Sequence, residues 1–105
     1  MTLEGNAYFE ITTPLNVGVR ITAQYWEYLI TKKHRFMAGR ESIVKDTLRS
    51  PDEIRQSRTD RDVFLYYKHA DRLYCVVARH EGTAGFVITA YPTDKVKEGD
   101  AIWTK

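Results

Sequence analysis

Residues 63–92 read VFLYYKHADRLYCVVARHEGTAGFVITAYP. They fall into three runs rich in β-branched and aromatic residues, parted by short polar breaks at Ala70-Asp71 and at Glu81 to Ala84. Such runs favour strands, and breaks of this length favour hairpins, so the stretch predicts an antiparallel meander. Residues two apart on a strand share a face. Val63, Leu65 and Tyr67 therefore oppose Phe64, Tyr66 and Lys68, and Arg79 opposes His80. Strict alternation in the last run sets Thr89 and Tyr91 on a surface apart from Phe86, Ile88 and Ala90.

Outward from this stretch, EIRQSR (53–58) reads as a further strand ending before Thr59-Asp60. AYFEITTPL alternates until Pro14, and VGVRI alternates Val17, Val19 and Ile21, which predicts two short strands that pair. From Thr22, a candidate N-cap, the period becomes helical through Tyr25, Trp26, Leu29 and Ile30, giving a helix at about residues 23–34. Ile43, Val44, Thr47 and Leu48 predict a second helix at about 41–49, stopped by Ser50-Pro51. The tail TDKVKEGDAIW ends in Ile102 and Trp103, expected to pack back on an open edge of the core. The fold class expected is α+β: an antiparallel meander with both helices on one face and the other face meeting solvent.

The 105 residues suit a single domain, 1–105. Sixteen Lys and Arg oppose 14 Asp and Glu, and a net charge of +2 does not by itself argue for a polyanion partner. No apolar run is long enough for a membrane helix and the start lacks signal-peptide regions, so a soluble cytoplasmic protein is expected. Cys75, the single cysteine, excludes an internal disulfide and a cysteine-based metal site. Its ordinary role is that of a small buried hydrophobe.

Five clusters could carry chemistry. TKKHRFMAGR gathers Lys32, Lys33, His34, Arg35 and Arg40 without an acid, which suits phosphates as well as a solvated helix end. Only His34 there has a pKa range suited to proton transfer near neutrality. RQSRTDR carries Arg55, Arg58 and Arg61 among acids that are their default partners. FLYYKH carries Tyr66 and Tyr67, more often core than catalytic when on an apolar face. Arg79-His80 and the pair Thr89 and Tyr91 complete the set. A glycine-rich phosphate loop, a GxSxG elbow and zinc-type histidine spacing are missing from the sequence. No metal and no cofactor is therefore expected.

In order along the chain, KKH, IVKDTLRSPDEIRQS, FLYYK, YCVVARHEG and VITAYPTD resemble the phage-type branch of the barnase/EndoU/colicin/RelE-like nuclease superfamily. The resemblance spans about residues 17–103. It implies a RelE/barnase-like sheet and a metal-independent, toxin-like endoribonuclease, with RNA and a cognate antitoxin as partners and no membrane association. It places the family histidine on His34, the hydroxyl and aromatic positions of the last strand on Thr89 and Tyr91, and the tyrosine pair on Tyr66 and Tyr67. In that reading His34 is base or acid, Thr89 orients, and Tyr91 donates a proton or stacks a base. Arg58, Arg79, Lys33 and Tyr67 meet the RNA. The mixed-charge tail departs from RelE-type toxins and argues against ribosome-dependent cleavage. The alternative is a binding module of the same fold that lacks the chemistry.

Overall fold

Hydrophobic period and turn chemistry set the elements of the computed structural model, which describes residues 7–96 and 98–105. In chain order these are β1 (Ala7–Thr12), β2 (Gly18–Thr22), α1 (Ala23–Tyr28), α2 (Glu41–Arg49), β3 (Glu53–Gln56), β4 (Val63–His69), β5 (Leu73–Glu81), β6 (Ala84–Pro92) and β7 (Asp100–Thr104). A π turn (Leu29–Lys33) and a 3-10 turn (Arg35–Met37) connect α1 to α2. β1 and β2 form an antiparallel hairpin whose turn uses Asn16 at φ 62°, a left-handed angle that asparagine tolerates. α2 has the bounds the sequence predicts, because Val44, Thr47 and Leu48 bury one stripe and Pro51 bars continuation.

The expected helix over residues 23–34 is α-helical only to Tyr28. Thr22 caps it, accepting from the Tyr25 amide at 3.0 Å. The following turn widens so that the His34 amide closes on the Leu29 carbonyl at 2.8 Å, while Thr31 Oγ1 donates back to the Glu27 carbonyl. Such back-bonding bends helices, and π turns recur where a side chain must be re-aimed. Here the re-aimed residue is His34.

One seven-stranded sheet holds the molecule together, in the order β1-β2-β6-β5-β4-β3-β7. β3 to β6 are the predicted antiparallel meander. The sheet as a whole is mixed, which corrects the purely antiparallel expectation: β2 runs parallel to β6, pairing Gly18, Val19 and Arg20 with Ala84, Gly85 and Phe86. Pairing direction is a long-range choice on which alternation within each strand is silent. The tail does pack on an open edge, as β7 pairs antiparallel with β3 and Trp103 lies opposite Ile54 against the core, but Ile102 does not join it and stays 42% exposed.

Both helices cover one face. Trp26, Leu29, Val44 and Leu48 pack in one cluster with Val19, Ile21, Tyr66, Tyr74, Val76, Val87 and Ala90. The opposite face is only partly open, a second correction. Because β7 lies beyond β3, the chain between β6 and β7 must pass over β5, β4 and β3. Val96 in that crossover packs on a smaller cluster of Leu65, Tyr67, Leu73 and Cys75, flanked by Val77 and Tyr91.

A third correction concerns β6. Val77 pairs with Thr89 while the adjacent Ala78 pairs with Val87, so Ile88 is an extra residue in a bulge. The bulge resets the alternation. Phe86, in register with Arg79, lies on the same face as Thr89 and Tyr91, whereas Val87 and Ala90 both enter the helix-side core.

Candidate nucleic-acid interface

The π turn delivers His34 to the end of β6, where its ring lies 5.3 Å from that of Tyr91 at 41°. Of the residues expected to act together, these two meet. His34 is half-buried, and burial followed by the charge of Lys33 lowers its pKa from 6.5, which favours the neutral imidazole. It is a group ready to accept a proton.

Thr89 and Tyr91 share a face but offer their oxygens poorly. Thr89 Oγ1 is fully buried without a hydrogen-bond partner. Tyr91, Cys75 and Tyr67 stand side by side across three strands. Burial first, and the Cys75 sulfur next, push both phenols well above their usual value, while burial pushes the Cys75 thiol up to about 12. The Tyr91 ring can stack on a base, whereas its hydroxyl is a poor acid. Tyr67 is buried beneath the crossover, which removes it from a surface role.

The arginines divide into two groups. Arg58 and Arg61 both hold Asp100, at 2.8 and 3.3 Å, Arg79 holds Asp60 at 2.5 Å and approaches Asp62 at 3.7 Å, and Arg55 holds Glu53 at 2.7 Å. Arg79 also sits four residues along β5 from Cys75, roughly 13 Å from the level of Tyr91 at ~3.3 Å per residue. The structure does not bring Arg58 or Arg79 to His34.

A different basic set gathers along the chain next to His34 and on the ring of Phe36. Phe36, 41% exposed, carries two guanidinium groups on its ring, Arg40 at 4.1 Å and Arg72 at 4.9 Å. Among the described residues, Lys32, Lys33, Arg35, Arg40 and Arg72 form no ion pair, although most of the other arginines do. Cations stack on exposed ring faces too, though more weakly than on buried ones, and basic groups not held in ion pairs keep more of their field for an outside anion. Arg72 is the member that sequence reasoning missed. It follows Asp71 in a hairpin turn and reads there as a paired surface charge, but Asp71 accepts from the Tyr74 hydroxyl instead.

His80, the remaining candidate ring, faces inward. It is 9% exposed, stacks on Phe64 at 3.9 Å and lies 3.0 Å from the Tyr66 hydroxyl, which donates to Thr13 Oγ1 at 3.1 Å. This network ties the β1–β2 turn to β4 and β5, and burial depresses the imidazole to about 4. Among the described residues, no group of three or more His, Cys, Asp or Glu side chains could hold a metal ion, and no helix is long and apolar enough to cross a membrane.

Comparison with known proteins finds no matching family model, no matching curated protein and no matching solved structure. The chemistry of the interface rests on its own residues.

Proposed function

We propose that the chain binds single-stranded RNA at the cationic end formed by Lys33, His34, Arg35, Phe36, Arg40, Arg72 and Tyr91. The observation that carries this reading is the contrast between basic groups. Those around Phe36 form no ion pair among the described residues, while Arg55, Arg58, Arg61 and Arg79 are each held by a carboxylate. Cations without a carboxylate partner, beside the exposed Phe36 ring and the half-buried Tyr91 ring, match what an RNA strand offers, phosphates and splayed bases.

The test is anisotropy of a labelled single-stranded RNA across a salt series. Each phosphate contact contributes about −0.7 to the slope of log affinity against log salt, so Arg35→Gln with Arg72→Gln should flatten the slope by roughly 1.4. Arg58→Gln, which removes a group already engaged by Asp100, should leave it unchanged. Binding that is insensitive to salt, or equally affected by both variants, would overturn the reading.

A second reading is cleavage at the same surface, favoured by the lowered pKa of His34 and by the resemblance to RelE/barnase-like nucleases. Neutral His34 would take the ribose 2′-OH proton as O2′ attacks phosphorus. The P–O5′ bond then breaks to leave a 2′,3′-cyclic phosphate, and the imidazolium returns its proton to the 5′ oxygen. Arg35 or Arg72 would bear the charge that develops on the phosphate. The buried Thr89 hydroxyl and the raised pKa of the Tyr91 hydroxyl weigh against their direct participation, which is why binding comes first. RNA incubated with the protein in chelator separates the two: cleavage abolished by His34→Ala supports the nuclease, and binding without cleavage supports the module. An active nuclease would act in the cytoplasm and call for a silencing antitoxin there.

A further inference from the structure

The parallel pairing of β2 with β6 ends at Arg20 and Phe86, because β2 turns into α1 at Thr22 while β6 bulges at Ile88. Past that last pair the strands part. They leave an open groove of about 390 Å³ lined by Ala7, Ile21, Phe86, Val87, Ile88 and Arg20, and its walls are mainly apolar. Small-molecule sites span roughly 300–1,000 Å³ and combine apolar walls with a few polar groups. The Tyr25 hydroxyl at the groove is already engaged, donating to the Ile88 carbonyl at 2.6 Å.

Among the described residues, Arg20 is the one charged residue in the lining and no carboxylate lies within ion-pair distance of it. Glu10 stands directly opposite Arg20 in the β1–β2 register. Its carboxylate lies instead over Gly18, where a β-carbon would come within 2.5 Å of Oε2. The absence of a side chain at position 18 gives Glu10 somewhere else to go and leaves the guanidinium to the groove.

We propose that this groove binds a small apolar monocarboxylate of the medium-chain fatty acid class, the chain between β2 and β6 and the carboxylate on Arg20. Apolar walls supply affinity for the chain, and the charge-assisted hydrogen bond selects the acid over its neutral analogues. The site is independent of the RNA surface around His34.

Calorimetric titration with decanoate and decanol tests it, together with amide chemical shifts. Saturable decanoate binding is expected, with decanol about tenfold weaker and shift changes centred on Ala7, Arg20 and Ile88. Arg20→Gln should erase the preference without erasing decanol binding, and Glu10→Gln should tighten decanoate by removing a nearby like charge. Ala7→Trp, which fills the groove from an edge strand, should abolish both ligands at unchanged melting temperature. Absence of decanoate binding, equal affinity for decanoate and decanol, or shift changes centred elsewhere would overturn the proposal.

Discussion

His80 is held uncharged inside the fold, and its network with Tyr66 and Thr13 has a pH signature. A histidine whose native pKa lies below its unfolded value stabilises the fold above the unfolded pKa, and loses that contribution as pH falls toward the native one. With about 4 in the native state against 6.5 unfolded, at ~1.4 kcal/mol per pH unit, roughly 3 kcal/mol of stability should disappear between pH 6.5 and 4. Urea midpoints measured across that range report it, and His80→Phe should flatten the dependence. Cys75 makes the companion case, since a fully buried thiol raised to about 12 has almost no thiolate. A thiol reagent at pH 8 should leave the native protein unmodified and react once denaturant is added. Labelling of the native chain at the rate of the denatured one would contradict the geometry. The same scale shows where the candidate site was legible. KKH marked the cationic end, but the freedom of Arg72 and the burial of Thr89 Oγ1 depend on neighbours brought from other elements.

Elements with a local cause were readable from the chain. α2 follows from an apolar stripe and a proline stop, the hairpins of β4, β5 and β6 from alternation and turn residues, and the docking of the tail on an open edge from Trp103. Features set by partners were not. The β6 bulge moves Phe86 to the face of Thr89 because β5 demands a different spacing, and the π turn answers to the end of β6 as much as to its own residues. In the crossover from β6 to β7 the backbone is tightly constrained at Gly99. Gly99 has φ 82°, and a β-carbon there would meet the Gln56 carbonyl oxygen at 2.5 Å. Gly99→Ala combines a disfavoured angle with a clash against backbone, so a loss of about 1–3 kcal/mol is expected from chemical denaturation. Gly82→Ala is the control. Its φ of 68° carries the angular penalty, but open space surrounds the site, so it should cost less.

Across the whole molecule, the sheet joins two units of unequal attachment. β3 to β6 pair with their chain neighbours along most of their length, whereas the β1–β2 hairpin is sewn to β6 by three parallel register pairs, Gly18 to Arg20 against Ala84 to Phe86. Uneven attachment means uneven local stability. We expect the hairpin to lift from the meander before the meander unfolds, breaking the Tyr66–Thr13 hydrogen bond and its core contacts as it does. Amide hydrogen exchange under native conditions should therefore show two tiers, with β4 and β5 exchanging only at the global free energy and β1 with β2 exchanging below it. A single tier throughout would mean that the helix-side core fuses the two units. If the hairpin lifts, a ligand held between β2 and β6 acts as a latch, and its concentration would set how often that side of the protein opens.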